Sequence, residues 1–277
     1  PEITQSKYWG FSSNEVAAVD TVRCLDALEL LLRTQTSPAE TAAIVLEPVL
    51  GEGGYVPSPP GFLRGVQKIC REHGILLVAD EVQTGFGRTG SMFAVDWLDD
   101  GAVHPDILIM AKGIANGFPL SAIATRSDLS DHQPPGSMGG TYGANSVCCA
   151  AACAVLDVFK EEDILSHVLA GEVLIRQRLQ QLMQDTDGSA IAEVRGRGLM
   201  LGVEFNRPAG KITGWMAKEV SQECLTRGLL VLSCGPYDTV RLIPALNASV
   251  DDINKGMDIF SAAVATVAAS CPIDVGA

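Results

Sequence analysis

Two stretches decide the fold of this chain: ILLVADEVQTGFGRTG, residues 75–90, and PDILIMAKGIANGFPLSA, residues 105–122. Each contains a short apolar run, Ile75–Ala79 and Ile107–Met110, and polar residues follow both runs. Short apolar runs bounded by turn residues are typical of buried strands in a parallel sheet. Ligands of open α/β sheets bind just beyond the carboxyl ends of such strands. The sequence therefore predicts an α/β fold that brings Asp80 and Lys112 to the same edge of the sheet.

The rest of the chain continues the alternation of helices and strands. Apolar spacing predicts helices at Val22–Leu32, Pro59–Glu72, Asn145–Lys160, Ile164–Met183, Trp215–Thr226 and 251–268. Strands are predicted at Ala43–Leu46, Leu120–Thr125, Val194–Phe205 (interrupted by glycines), Leu229–Leu232 and Val240–Ile243. After the helix at Ile164–Met183 the sequence changes to short strands and helices typical of an α+β domain. We therefore expect two domains: residues 1–165, part of a large domain, and residues 166–277, a smaller α+β domain.

Composition narrows the classes of function. The 277 residues are 47% hydrophobic and carry a formal net charge of −13. A strongly acidic chain is a poor partner for nucleic acid or an anionic membrane, and no apolar run is long enough to span a bilayer. No signal peptide is visible, so we expect a protein of the cytoplasm or the mitochondrial matrix rather than a secreted one. The chain begins at Pro1 with residues typical of the middle of a protein, and a fragment or a processed chain is expected.

The eight cysteines form no CxxC pair, and their single cluster is Cys148, Cys149 and Cys153 in an alanine-rich helical run. No histidine stands nearby at the spacing of a zinc site. We therefore expect unreactive core thiols, no metal site and a reducing compartment.

The segment Gly85–Gly90 is a literal GxGxxG, the pattern of dinucleotide-binding loops. In such loops the first glycine follows the strand directly and a helix opens on the last. Here Asp80–Thr84 separates the strand from Gly85, so an ordinary turn is the better interpretation. The alternative of a nucleoside-triphosphate site fails because the chain contains no GxxxxGK[ST] phosphate loop.

Taken singly, Asp80 would be a cap or turn residue and Lys112 a surface charge. Together they suit one chemistry, because a lysine amine forms a Schiff base with the aldehyde of pyridoxal phosphate. The ring nitrogen of that cofactor must stay protonated, which a nearby carboxylate ensures. Gly113 and Gly117, close to the lysine, leave room for the bound group to move.

Six collinear blocks identify the family: IVLEPVLGEGGYVPSP, LLVADEVQTGFGRTG, PDILIMAKGIANGFPLSA, GGTYGANSVCCAAACAVLDV, VRGRGLMLGVEF and VRLIPAL. They cover roughly residues 40–260, in order. The chain resembles the class III aminotransferases, which are pyridoxal 5'-phosphate enzymes of fold type I. It is most similar to the 4-aminobutyrate (omega-amino acid) transaminases.

The resemblance implies a role for each residue around the cofactor. Lys112 would bind the cofactor aldehyde and shuttle protons, and Asp80 would pair with the pyridinium nitrogen. Val82 would pack on one face of the ring, while Gln83 would hydrogen-bond its phenolic oxygen. Glu47, at the end of the preceding strand, would lie near the cofactor.

Three more roles follow from the resemblance. Thr141 would bind the phosphate of the neighbouring subunit's cofactor, which implies a homodimer with a shared site. Arg241 would hold a substrate carboxylate as a two-pronged donor. Glu52 would pair with Arg241 when the amino donor lacks an α-carboxylate, and release it for the dicarboxylic acceptor.

The implied reaction is transfer of an amino group from a small omega-amino acid, such as 4-aminobutyrate or a β-amino acid, to a 2-oxo acid. Alternatives within the family are an ornithine, acetylornithine or diamine aminotransferase, or an aminomutase; outside it, an inactive fragment or a nicotinamide-binding module. Family members are longer at the N-terminus, where a phosphate loop and a ring-stacking aromatic residue lie. We therefore expect this chain alone to bind the cofactor weakly or not at all.

Overall fold

The structure is a computed structural model that describes residues 14–137, 139–186 and 189–270, with side chains from residue 20 onward. The described residues divide into two compact units. Residues 14–48 and 58–165 form the first unit; residues 49–57 and 166–270 form the second. Residues 49–57, which the sequence assigns to the first domain, therefore belong with the second unit.

The α-helices of the described residues are α1 (Asn14–Thr34), α2 (Phe62–His73), α3 (Ser127–Ser130), α4 (Ser146–Glu161), α5 (Ile164–Asp185), α6 (Trp215–Thr226) and α7 (Val250–Ser270). Their strands are β1 (Ala43–Leu46), β2 (Val49–Leu50), β3 (Val56–Pro57), β4 (Leu76–Asp80), β5 (Ile107–Met110), β6 (Ala122–Thr125), β7 (Ile191–Arg197), β8 (Met200–Phe205), β9 (Leu232–Ser233) and β10 (Thr239–Leu242). Short 3-10 helices occur at Pro38–Glu40, Ala94–Asp96, Leu98–Gly101 and Lys112–Ala115.

The first unit contains a four-stranded sheet in the order β1-β4-β5-β6. The pairs β1–β4 and β4–β5 are parallel, whereas β6 runs antiparallel to β5. The sheet is therefore mixed and mostly parallel, as the sequence predicts. The carboxyl ends of β1, β4 and β5 consequently lie along one edge.

Helices α1 and α2 contribute to the core of the first unit. Helix α2 has its apolar residues on one face and ends at Gly74, whose left-handed backbone (φ 69°) lets its N–H bond to the carbonyl of Cys70. At its other end the carboxylate of Asp99 accepts the N–H groups of Gly61 and of Arg64, the latter at 2.9 Å. The core cluster is formed by Leu32, Leu63, Val66, Ile69, Cys70, Ile75, Leu77, Ala94, Leu98 and Val103.

The second unit is built on an antiparallel sheet in the order β7-β8-β10-β9. The single strand predicted over Val194–Phe205 is wrong, because β7 and β8 are separate strands of a hairpin in which Arg197 pairs with Met200. Gly198 has a positive φ of 61° in the tight connection, which is why the glycines there mark a reversal. Segment 49–57 adds a second hairpin, β2–β3.

The cysteines differ in part from the expectation of buried, unreactive thiols. Cys148 is buried, but Cys153 on the same helix is exposed. Burial raises the pKa of the Cys70, Cys224 and Cys234 thiols to about 11. Among the described residues, no helix is both long enough and apolar enough to cross a membrane.

Candidate active site

Three predicted site residues follow neighbouring strands of the first unit's sheet. Leu46 pairs with Ala79 across β1 and β4, so Glu47 and Asp80 occupy adjacent strand ends. Asp80 pairs with Ile109 across β4 and β5, and Lys112 follows β5 by two residues. Strand register therefore gathers Glu47, Asp80 and Lys112 at the carboxyl edge of the parallel strands.

The carboxylate of Asp80 is fixed by the turn that follows it. Its Oδ1 accepts the backbone N–H of Val82 at 3.0 Å, and the side chain is half-buried. Val82 and Gln83 are half-buried in the same turn. This arrangement is an Asx turn, which holds the carboxylate at the strand end in one orientation.

Lys112 opens a 3-10 turn, Lys112–Ala115, and its side chain is exposed. Its backbone is left-handed, with φ 44°. Residues other than glycine adopt this conformation rarely, and such backbones are enriched at functional sites. The turn is closed by the N–H of Ile114, which donates to the carbonyl of Ala111 at 3.1 Å. Within the described residues, the ammonium group of Lys112 forms no ion pair.

A buried carboxylate lies directly after Asp80. Glu81 is fully buried and accepts the N–H groups of Ala94 and Val95, at 2.8 and 2.9 Å, and the hydroxyl of Thr84. Burial raises the pKa of Glu81 above its ordinary value of 4.5, although the three donors oppose that shift. Glu81 thus ties the end of β4 to residues 94 and 95.

Thr141 lies in an exposed turn before α4. The turn contains a hydrogen bond from the N–H of Gly143 to the carbonyl of Gly140, at 3.0 Å. At the start of α4, the side chain of Asn145 accepts the N–H groups of Val147 and Cys148, at 3.0 and 3.3 Å. Asn145 therefore already occupies two of the donors at this helix end, and the phosphate-binding role of Thr141 stays a prediction.

The second unit contains the other two predicted site residues, and it pairs them. Arg241, on β10, is 8% exposed, while Glu52, between β2 and β3, is 82% exposed. The Nη1 atom of Arg241 donates to the Glu52 carboxylate. The guanidinium lies 5.7 Å from the ring centroid of the buried Tyr55. Its Nε is buried and has no hydrogen-bond partner among the described residues.

Arg195 holds the backbone of the loop that carries Glu52. It is 2% exposed. Its Nε donates to the carbonyl of Gly54 at 2.8 Å and its Nη2 donates to the hydroxyl of Thr239 at 2.8 Å. Its Nη1 pairs with Glu193, at 3.0 Å, and with Glu204. These bonds attach the loop to the antiparallel sheet.

Comparison with known proteins decides the family. A family model described as aminotransferase class-III matches residues 1–264. The chain belongs to the class-III aminotransferases. The 4-aminobutyrate aminotransferase GabT of Escherichia coli (strain K12) is 37% identical over 242 residues, which are 85% of this chain and 55% of that protein. The acetylornithine aminotransferase of Pseudomonas putida is 42% identical over 237 residues, again 85% of this chain and 55% of that protein.

Solved structures place the fold in the same family. The omega transaminase from Pseudomonas jessenii, in complex with PMP, matches with a TM-score of 0.83 and 26% identity, covering 92% of this chain and 57% of that one. The predicted α/β fold of a class-III aminotransferase is thereby confirmed. The chain spans about 55% of the length of the two curated relatives named above.

The residues at the sheet edge fit the cofactor of the class-III aminotransferases. Asp80 offers an oriented carboxylate that can accept a ring N–H. Lys112 offers an exposed primary amine beside the same edge. In the second, separate compact unit, Arg241 offers a guanidinium, a group suited to binding a carboxylate. Each group has the chemistry that its predicted role requires.

Several residues of the site have no counterpart in the sequence predictions. Tyr55 supports Arg241, and Glu81 and Arg195 anchor the loops on which the predicted residues depend. The sequence feature that could have indicated Glu81 and Arg195 is a charged residue beside or within an apolar segment. Glu81 is the last residue of LLVADE, and Arg195 lies in a predicted strand. Burial and partners could not be read from that signal alone.

Proposed function

We propose that the protein is a pyridoxal-phosphate-dependent aminotransferase that moves an amino group from an omega-amino acid to a 2-oxo acid. In the first half-reaction the donor's C–N bond would be replaced by a C=O bond whose oxygen comes from water. The nitrogen and the two electrons would pass to pyridoxal phosphate, so the donor leaves as an aldehyde. In the second half-reaction the 2-oxo acid receives the nitrogen and leaves as an amino acid. The partners are thus two small molecules that use one site in turn.

The Glu52–Arg241 pair is the observation that carries this proposal. The guanidinium of Arg241 is buried, and a guanidinium can bind a carboxylate through two parallel hydrogen bonds. Glu52 is exposed and can leave Arg241 at little cost, because its carboxylate is readily hydrated. Arg241 is therefore covered when the donor has no α-carboxylate and is released when a dicarboxylic acceptor arrives.

The first unit supplies the groups for the chemical steps. Pyridoxal phosphate, when bound, withdraws electrons from the carbon that carries the amino group. Asp80 would stabilise the positive charge of the ring nitrogen and keep it protonated. Lys112 would hold the cofactor through its amine and then move a proton to and from the substrate carbon. Val82 and Gln83 would orient the ring, and Glu47 would shape the same environment.

Thr141 would bind the cofactor phosphate across a subunit interface, so the proposed assembly is a homodimer with shared sites. Two features support this role. Thr141 is exposed, and its hydroxyl lies in a glycine-flanked turn that leads into α4. An exposed hydroxyl in such a turn can donate a hydrogen bond to a phosphate oxygen.

The identity of the donor has a second candidate. The acetylornithine aminotransferase of Pseudomonas putida is 42% identical to this chain, compared with 37% for the 4-aminobutyrate enzyme of Escherichia coli. A terminal amine on an α-amino acid derivative is therefore a competing donor class.

A donor panel tests the proposal. The purified protein, including the N-terminal region that its relatives possess, is supplied with pyridoxal phosphate and 2-oxoglutarate. It is assayed for glutamate formation with 4-aminobutyrate, β-alanine, ornithine and N-acetylornithine. We expect 4-aminobutyrate or β-alanine to give the highest kcat/KM. A preference for N-acetylornithine would transfer the assignment to the second candidate. Transamination that persists in Lys112→Ala would contradict both.

A further inference from the structure

The segment Gly85–Phe86–Gly87 belongs to the GxGxxG motif, which the proposed function does not use. In the structure it is a turn beside the carboxyl edge of β4. Phe86 is buried and has a left-handed backbone, with φ 52°. Lys112 has the same uncommon conformation, with φ 44°. Strained backbones of this kind persist only where the surrounding structure holds them.

Phe86 and the residue after Lys112 are in direct contact. A Cβ atom added to Gly113 would lie 2.9 Å from the Cβ of Phe86. That atom is attached to the backbone of Phe86, so it cannot move aside as the end of a flexible side chain can. Gly113 is therefore required by the close approach of Phe86, since its own φ lies outside the left-handed region.

Phe86 is itself held in place. Its ring meets the ring of Phe93 edge to face, with centroids 5.7 Å apart. Residues 94 and 95, next to Phe93, are bound by the buried carboxylate of Glu81. On the other side, a Cβ on Gly87 would lie 2.6 Å from the ring of Phe159. The loop is thus fixed from β4 on one side and from α4 on the other.

We propose that the Gly85–Gly87 loop is a positioning element for Lys112, in which Phe86 packs against Gly113 and holds the left-handed backbone from which the Lys112 side chain extends. The proposal rests on the proposed function, since it takes Lys112 as the amine that binds the cofactor. Phe86 is a positioning residue and does not touch the reacting atoms. The motif is a structural support and not a nucleotide site.

The test compares lysines within one protein. The protein, together with the N-terminal region that its relatives possess, is incubated with pyridoxal 5'-phosphate, reduced with borohydride and digested. The label on each of the seven lysines of the present sequence is quantified by mass spectrometry. In the unaltered protein we expect Lys112 to dominate. Gly113→Ala should lower the Lys112 label at least tenfold relative to the exposed Lys68 and Lys160.

A matched control separates positioning from general destabilisation. Gly74→Ala makes the same change at a glycine with φ 69° and no atom within 4 Å of the added Cβ. It should strain the backbone and leave the distribution of label unchanged.

Phe86→Leu keeps a buried apolar side chain and removes the edge-to-face contact, so it should fold and lower the Lys112 label a few-fold. A double variant, Phe86→Gly with Gly113→Ala, removes the Cβ contact. In the Phe86→Gly background, Gly113→Ala should therefore have little further effect.

A second readout does not depend on the cofactor. Hydrogen exchange of residues 112–116 should become faster in Gly113→Ala and Phe86→Leu, because the bond from Ile114 N–H to the Ala111 carbonyl closes this turn. Exchange there should not change in Gly74→Ala. If Lys112 is not preferred even in the unaltered protein, the proposed function fails while hydrogen exchange still decides the positioning. Unchanged labelling and unchanged exchange in a folded Gly113→Ala variant would overturn the positioning proposal.

Discussion

The buried guanidinium of Arg241 donates through Nη1 to the exposed carboxylate of Glu52, and its Nε has no hydrogen-bond partner among the described residues. The guanidinium of Arg241 is shielded from water, whereas the carboxylate of Glu52 is exposed. A substrate carboxylate can therefore take the place of the exposed Glu52 carboxylate on Nη1 of the guanidinium.

Glu52→Gln tests this exchange. The amide removes the competing negative charge, so the KM for 2-oxoglutarate should fall by about fivefold, which corresponds to about 1 kcal/mol for one charge-assisted bond. The half-reaction with 4-aminobutyrate should slow, because Arg241 then lacks a neutralising partner. Single-turnover kinetics of each half-reaction measure the two effects. The exposed Glu40→Gln serves as control, and equal changes in both half-reactions for Glu52→Gln would contradict the exchange.

Asp80→Asn tests the carboxylate at the end of β4. Asparagine can still accept the N–H of Val82, so the turn should survive. Without a negative charge, the cofactor ring nitrogen loses its proton, and kcat should fall by about 10²–10³-fold. Steady-state assays at saturating cofactor measure the loss. Asp157→Asn, an exposed change on α4, should have no effect. A normal kcat for Asp80→Asn would remove this residue from the chemistry.

Arg195→Met tests the anchor of the Glu52 loop. The substitution leaves the carboxylates of Glu193 and Glu204 without the cation that they share. The free energy of unfolding should therefore fall by about 3–5 kcal/mol. Urea denaturation followed by circular dichroism gives the value. Arg227→Met breaks the more exposed pair with Glu223 and should cost about 1 kcal/mol or less. Equal losses in the two variants would show that Arg195 is not the anchor.

The buried carboxyl of Glu81 should make stability depend on pH. Burial raises its pKa in the folded state above 4.5, so the folded protein holds this proton more tightly than the unfolded chain does. The stability that Glu81 contributes should therefore be fully present below about pH 4.5 and decline as the pH rises through the folded-state pKa. The free energy of unfolding of the unaltered protein minus that of Glu81→Gln should shrink with rising pH. A constant or growing difference is the contrary result.

Much of the first unit was predictable from the sequence because its signals are local. The strand Ala43–Leu46 and the C-cap at Gly74 follow from an apolar run and from a glycine after an amphipathic helix. Asp80 and Lys112 were placed at one edge because parallel strands end together. The family resemblance then supplied roles that spacing alone could not.

The features that were missed depend on contacts between distant residues. The loop carrying Glu52 belongs with β8 and β10 because Arg195 binds the carbonyl of Gly54, a contact 141 residues apart in the chain. The contact of Phe86 with Gly113 likewise joins two turns that no sequence pattern connects. The segment Val194–Phe205, predicted as one strand, lies in a hairpin. Its glycines permit a chain reversal, and apolar spacing alone does not reveal such a reversal.

The proposed function depends on Lys112 as the amine that binds the cofactor. Borohydride reduction in the presence of pyridoxal 5'-phosphate, followed by peptide mapping, tests it most directly. In the protein that also carries the N-terminal region of its relatives, we expect an absorption band of bound cofactor that disappears on reduction, and a label located on Lys112 that Lys112→Ala abolishes. A label spread over the exposed lysines, or unchanged transamination by Lys112→Ala, would contradict it.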